Sequence, residues 1–259
     1  MRAPFYDPGI SAAAVASARL GMFGTLLALI ALALAAFDKV SPLVALVILG
    51  CAALFGLGAL GFALRGMVSI WQFGKRGVAL LLAGLLFASL LLAGPVWLGV
   101  QAIRLPPLHD ISTDTDHPPL FSATAAAVTA RNGRTPEDAS ASDLAQQLLA
   151  YPDVQPILVD VTPRRAFELA LQATKALHWA IIATKAPARH DTTYSLEATH
   201  QMPVLHFVED ITIRIEPADS RARVDIRSVS RLRGPDFGTN AALIQKFIDE
   251  YQTLVNNLE

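Results

Sequence analysis

Three stretches of this 259-residue chain contain no charged residue at all: 20–37, 40–64 and 77–103, which are 18, 25 and 27 residues long. A helix rises about 1.5 Å per residue, so even the shortest reaches roughly 27 Å, close to the ~30 Å hydrocarbon core of a bilayer. A backbone in lipid must satisfy its own hydrogen bonds, which selects helices. The first 103 residues are therefore read as a three-helix transmembrane anchor, with spans at about 20–37, 42–64 and 77–101. Only Asp38 and Lys39 separate the first two runs. That forces a tight antiparallel hairpin, and Pro42 suits the first turn of the second helix. Ala33-Leu34-Ala35 loosely resembles a signal-peptide processing site. However, the tail before the first run is long and weakly basic, and a second spanning run follows at once, so the segment is read as a retained span.

Charge divides at the same place. Residues 1–103 hold 6 of the 21 Lys+Arg and 2 of the 22 Asp+Glu, whereas residues 104–259 hold 15 basic and 20 acidic residues and all six histidines. This balance excludes a wholly soluble protein, and also a nucleic-acid binder, which needs a basic patch or stripe. Arg2, Arg19, Arg65, Lys75 and Arg76 fall on one side of the spans, Lys39 and Arg104 on the other. The positive-inside rule then predicts a multi-pass inner-membrane protein with a cytoplasmic N-terminus and a periplasmic C-terminal domain. Trp71 and Trp97 sit near span ends, where indoles anchor at the interface. No ionisable residue lies inside a span, which argues against a transport pathway. The small-residue stripe Ala52, Gly56, Ala59 and Ala63 is expected to pack the protein's own helices, and Pro95 to kink the third. Cys51, the only cysteine, lies in the second span. The exported half therefore has no thiol for a disulfide, a CxxC pair or a thiolate zinc site.

Residues 104–160 read as an irregular Pro-rich lead-in segment with one short helix near 141–149, ended by Tyr151-Pro152-Asp153. A compact α+β domain is expected over 161–259. Thr162 and Pro163 open a helix with Phe167, Ala170, Leu171, Thr174 and Leu177 on one face. Strand-like runs follow at 179–184 and 193–199. Next, Ile211, Ile213 and Ile215 alternate with polar residues, and so do Ala222, Val224 and Ile226. A hairpin turning at 217–220 would set Glu216 opposite Arg221, Thr212 opposite Asp225 and Asp210 opposite Arg227. A last helix from Thr239 groups Leu243, Phe247, Ile248, Tyr251, Leu254 and Val255. The fold class expected is a membrane-anchored α+β protein: three transmembrane helices, then a two-layer α/β sandwich with an antiparallel sheet of about four strands.

Several motifs resemble one family. They are Leu108-His109-Asp110-Ile111-Ser112-Thr113-Asp114-Thr115 followed by Pro118-Pro119-Leu120-Phe121, then Ala150-Tyr151-Pro152-Asp153, and Glu209-Asp210 with Arg214. Val224-Asp225-Ile226-Arg227-Ser228-Val229-Ser230-Arg231 and Asp236-Phe237-Gly238-Thr239-Asn240-Ala241 complete the set. Over about residues 104–259 the chain resembles the bacterial and plastid "domain of unknown function 1499" family. His117 and the stretch 200–206 depart from the family pattern. The resemblance implies no established activity.

Phosphate loops, HExxH and GxSxG motifs do not occur in the sequence. His109, Asp110, Asp114, Asp116 and His117 form the densest set of potential metal ligands. Set against this is a loop whose Asp and Thr side chains cap turns. Asp210, Arg214, Arg221, Arg223, Asp225 and Arg227, continuing to Arg231 and Arg233, suit a carboxylate- or phosphate-reading platform. The plainer reading is a solvated sheet face of cross-strand ion pairs. Asp236 and Asn240 open the last helix, where an anion could bind or Asp236 itself could cap. The expected ligand-binding set is Asp210, Arg214, Arg227, Arg231, Asp236 and Asn240, with Asp110 and Asp114 from the lead-in motif and no cofactor. The leading function is a non-catalytic binding or envelope-assembly protein whose partners are the lipid bilayer and an envelope protein or small anionic ligand. The alternative is an envelope hydrolase or metal-dependent enzyme using acidic residues of the 109–117 segment.

Overall fold

A computed structural model of the protein describes residues 9–137, 139–187, 192–232 and 234–258. They form two compact units, one running to Val100 and including Pro203–His206, the other made of the remainder.

The first unit is built from α1 (Ala12–Ala36), α2 (Pro42–Phe73) and α3 (Val78–Arg104), each long and apolar enough to cross a membrane. Their starts follow local chemistry. The Ser11 hydroxyl accepts the Ala14 amide, and the Ser41 hydroxyl accepts that of Val44 with Pro42 in the first turn. α1 begins before Arg19 and α2 continues past Arg65, so the helices outrun the charge-free stretches. Long cationic side chains near a helix end can reach water while the backbone keeps its bonds. Apolar surface gives no drive for association inside lipid, so close backbone approach must do the work. Ala52, Gly56, Ala59 and Ala63 are all buried, as the stripe leads one to expect. A Cβ added to Gly24 would lie 2.8 Å from Phe55, and one added to Gly56 would lie 2.9 Å from Leu91. Ser17 supplies the polar contact, its hydroxyl donating to the Ala59 carbonyl at 2.8 Å. Two backbone bonds of 2.9 Å, Arg76 N–H to the Gly9 carbonyl and Ser11 N–H to the Arg76 carbonyl, tie the chain before α1 to the α2–α3 loop. Gly77 turns directly into α3 at φ 123°, a conformation that side-chain-bearing residues rarely adopt.

The second unit is an antiparallel sheet with helices. Its strands are β1 (Asp110–Ser112), β2 (Ile157–Val159), β3 (Ala180–Lys185), β4 (Tyr194–Gln201), β5 (Val208–Ala218) and β6 (Arg221–Ser230). The order is β1-β6-β5-β4-β3, with β2 pairing β6 beyond β1. Six strands replace the four expected. The two extra ones come from the lead-in segment and are three residues long, too short for alternation to register. That segment also holds two helices, α4 (Ala125–Ala130) and α5 (Ala141–Ala150), the latter with a Ser140–Asp143 capping box. α6 (Pro163–Ala176) and α7 (Thr239–Asn256) follow the expected pattern.

The hairpin register differs by two residues from the expected one. Ala218 pairs with Arg221, Glu216 with Arg223, Arg214 with Asp225, Thr212 with Arg227 and Asp210 with Val229. The connection is the two-residue loop Asp219-Ser220, with Asp219 at φ 54°. Such loops match strand twist better than a four-residue turn. Pro217 stays inside β5 because β4 has already ended at the Ile215–Tyr194 pair, so no neighbour needs its missing N–H. A shift of two preserves the faces. Ile211, Ile213, Ile215, Ala222, Val224 and Ile226 are fully buried with Phe247, Ile244 and Tyr251 of α7 and Leu169 of α6. Each such aliphatic side chain contributes about 1.5–3 kcal/mol on burial. The opposite, polar face is not solvated. Thr212, Asp225 and Arg227 on it are almost fully buried beneath residues 113–137.

In the helical unit, a Cβ on Gly84 would overlap the Ser17 hydroxyl. Gly84→Leu should therefore lower the stability of the detergent-solubilised chain by about 1–3 kcal/mol, the range for overpacking. Gly61→Leu, whose Cβ meets nothing within 4 Å, should leave it unchanged. Thermal melting of the two variants against wild type checks both.

Candidate functional site

Alternation along β4, β5 and β6 puts Glu197, Asp210, Thr212, Arg214, Arg223, Asp225 and Arg227 on the sheet face away from α6 and α7. Asp110 joins them from β1, where it pairs with Val229. Burying a guanidinium is tolerated only with a counter-charge and satisfied N–H groups. Each arginine here has a carboxylate partner, and of their N–H groups only the Arg214 Nε is buried without a hydrogen bond among the described residues, 3.6 Å from Glu216. Arg227 grips Asp110 bidentately, Nε to Oδ1 at 3.0 Å and Nη2 to Oδ2 at 2.7 Å, and donates to the Pro119 and Glu137 carbonyls. Arg231 holds Asp210 through Nε at 3.1 Å and Nη2 at 2.8 Å. Arg214 and Arg223 share Asp114 and Asp225, with contacts of 2.8–3.2 Å. Arg131, at the C-terminal end of α4, is fully buried against Glu197 and the Ser122 carbonyl. The Phe121 ring lies 5.4 and 5.5 Å from the Arg131 and Arg227 guanidinium carbons, within cation–π range. The solvated-face reading is thus corrected: the lead-in segment covers the face because its carbonyls are the acceptors these arginines need.

The residues at the start of α7 also serve the fold. Asp236 accepts the Gly238 and Asn240 amides, both at 2.9 Å, and so occupies the helix start itself in place of an anion. Asn240, fully buried, accepts the Ser228 hydroxyl at 2.7 Å and donates to the His109 carbonyl and Ser230. The Tyr151 hydroxyl is buried nearby with no hydrogen-bond partner among the described residues. Burial and the Asp236 charge push its pKa up. Arg233, expected beside Arg231, lies outside the described residues.

The potential metal ligands do not converge. Among the described residues no group of three or more His, Cys, Asp or Glu could hold an ion. Asp110 is taken by Arg227. Asp114 accepts the Asp116 and His117 amides at 3.1 and 2.9 Å as well as the two arginines. Burial raises the Asp114 carboxyl, but the His117 amide and the Arg214 and Arg223 guanidiniums outweigh it and hold the group below its ordinary value. Glu197 moves the other way, burial holding it above its ordinary value despite the Ser122 amide and Arg131. His200, from the stretch that departs from the family pattern, sits on the helix face with Nδ1 3.0 Å from Glu209.

One cleft opens where this cover ends. It has a volume of about 280 Å³ and is lined by His109, Asp110, Asp210, Ser230 and Arg231 from the sheet and by Arg134, Thr135, Pro136, Glu137, Ser140 and Asp143 from the α4–α5 connection. Of the expected binding set, Asp110, Asp210 and Arg231 line it. Arg227 and Asn240 instead bond residues of its walls, Asp236 acts through Asn240, and Arg214 bonds Asp114 and Asp225 away from the lining. Its size suits a small polar group or one side chain, below the usual range of about 300–1,000 Å³ for drug-sized ligands. Arg131 and Glu197 escaped the sequence reading, and Phe121 entered it only within the family motif. Glu197 had a signal, since it alternates with Leu196 and Ala198. Arg131 had none.

Removing one partner of a buried pair strands the other, at a cost of about 3–5 kcal/mol. Arg227→Ala should lose that much stability, leaving Asp110 buried without its cation, whereas Arg223→Ala should lose less, because that side chain is a third exposed and Arg214 still serves both carboxylates. Denaturation of the full chain in detergent compares the two.

Comparison with known proteins agrees with the motif pattern. No curated protein matches the chain closely enough to count as a relative. The family described as "Protein of unknown function (DUF1499)" matches residues 110–251, more than half of the chain. That stretch runs from the first residue of β1 to Tyr251 of α7, and so takes in the whole sheet, the arginine–carboxylate face and the cleft apart from His109. The chain belongs to this family of unknown function, preceded by three membrane-capable helices.

Proposed function

We propose that this is a non-catalytic envelope protein: a multi-pass inner-membrane anchor, N-terminus in the cytoplasm, carrying a periplasmic domain that binds a polar group of an envelope partner in the cleft beside Arg231 and Asp210. In this reading the exported domain is a two-layer α/β sandwich whose polar sheet face is closed by the lead-in segment. The observation that carries the proposal is the pairing of the cleft's floor. Asp210 is held by Arg231 and Asp110 by Arg227, so the floor offers fixed donors and acceptors with its charges already balanced. Such a surface recognises hydrogen-bonding pattern. Acid–base catalysis instead needs a group poised to gain or lose a proton beside the substrate, and both floor carboxylates are committed to arginines. Balanced charge also favours a neutral or zwitterionic polar group over a bare anion.

The orientation rests on the five-to-two bias of basic residues at the span ends. A C-terminal alkaline phosphatase fusion should be enzymatically active, and a C-terminal green fluorescent protein fusion exported by the same route should be dark. The reverse pattern would place the domain in the cytoplasm.

The cleft is tested by filling it. Thr135 lines it and is exposed. Thr135→Trp should abolish complementation of a deletion strain, and should remove whatever co-purifies with the wild-type chain in native mass spectrometry, with the melting temperature unchanged. Full complementation by this variant would move the function away from the cleft.

A further inference from the structure

We infer that the end of the helical unit formed by the last turns of α2 and the α2–α3 loop is a binding surface for the phosphate headgroups of anionic phospholipids. The helices' membrane-spanning character supplies the setting, and the inference is independent of what the exported domain binds. α2 has 32 residues. At about 1.5 Å each it measures roughly 48 Å, far longer than a ~30 Å hydrocarbon core requires. The excess lies at one end, because Arg65 follows directly on the 25-residue charge-free run, while the helix continues to Phe73 and closes on Gly74 in the left-handed conformation. The turns beyond Arg65 therefore sit at headgroup depth.

What they present there fits a lipid headgroup. Trp71 is 88% exposed and Phe73 59%, apolar rings that a water-facing helix end would not display but an interface accepts. Lys75 and Arg76 follow at once. The Arg76 backbone is pinned to Gly9 and Ser11, so the loop is held while its side chain stays exposed. Gly66 packs on Ala14 of α1, its added Cβ reaching 3.1 Å from the Ala14 amide, which fixes the neighbouring Arg65 to the same bundle end. No carboxylate of the described residues 9–37 or 39–109 offsets these cations. Guanidinium and ammonium groups beside exposed aromatic rings match a phosphate at the boundary of an acyl layer.

The test uses the full chain in nanodiscs of equimolar phosphatidylcholine and phosphatidylglycerol with matched acyl chains. Native mass spectrometry then reads the headgroups retained on the ejected protein. Wild type should retain phosphatidylglycerol several-fold over phosphatidylcholine, and added salt should weaken the preference. The triple variant Arg65→Gln, Lys75→Gln, Arg76→Gln should return to the nanodisc composition with its helical circular dichroism intact, whereas Lys39→Gln at the opposite end should keep the preference. If the triple variant does not fold, Arg65→Lys with Arg76→Lys takes its place and should retain the preference. Absence of any preference in wild type, an unchanged preference in the triple variant, or its loss in Lys39→Gln would each overturn the inference. Displacement of the bound lipid by excess inorganic phosphate would also overturn it, by revealing a free-anion site. None of these outcomes bears on the cleft, whose test is read from Thr135→Trp.

Discussion

A guanidinium withdrawn from water must take its counter-charge with it, and this domain meets that demand repeatedly on one side of one sheet. Arg131, Arg214, Arg223, Arg227 and Arg231 each contact a carboxylate within about hydrogen-bond distance, and four of the five acids come from strands. The carboxylates do not exhaust the N–H groups. Others are met by the Pro119, Ser122, Ala130, Arg134 and Glu137 carbonyls, whereas the Arg214 Nε stays buried without a hydrogen bond among the described residues. A segment rich in Pro, Ser and Thr, with no apolar face of its own, is thereby ordered over the sheet. The domain has an apolar core between sheet and helices and a polar one between sheet and lead-in segment, and the cleft marks the edge of the second.

The edge of the sheet is closed by the same means. β1 has an open side, and exposed strand edges invite pairing with other chains. Gln147 of α5 answers it with its side-chain amide, accepting the Ser112 N–H at 3.0 Å and donating to the Ser112 carbonyl at 2.6 Å. Between β1 and β2, Thr113 continues the ladder, its amide donating to the Ile226 carbonyl at 2.9 Å and its hydroxyl accepting the Ile226 amide at 3.0 Å. Polar side chains thus stand in for strand backbone where the lead-in segment cannot stay extended.

The helical unit runs on the opposite logic. Lipid tails are as apolar as leucine, so its helices associate through small residues and one serine hydroxyl rather than through burial from water. Gly21, Gly24, Gly56 and Gly84 each face a side chain of another helix too closely for a Cβ. The large apolar residues point outward instead, Leu54, Leu86 and Leu90 among them. A soluble protein would invert that arrangement.

What the sequence determined by itself was whatever depends on near neighbours. Charge-free length marked the three helices, Pro42, Thr162 and Pro163 marked helix starts, and period-two alternation assigned Ile211–Ile215 and Ala222–Ile226 to one buried face. These signals are local because hydrogen-bond geometry and side-chain direction repeat every two or 3.6 residues. Tertiary structure decided the rest. The hairpin register moved by two because the turn, not the charge pairs, sets it. β1 and β2 exist only because β6 offers them a partner. The polar face became an interior because Arg227 and Asp110, 117 positions apart in sequence, satisfy each other only once the sheet has formed. Periodicity reports which face a residue occupies, but whether that face meets water depends on a distant segment with no periodicity of its own.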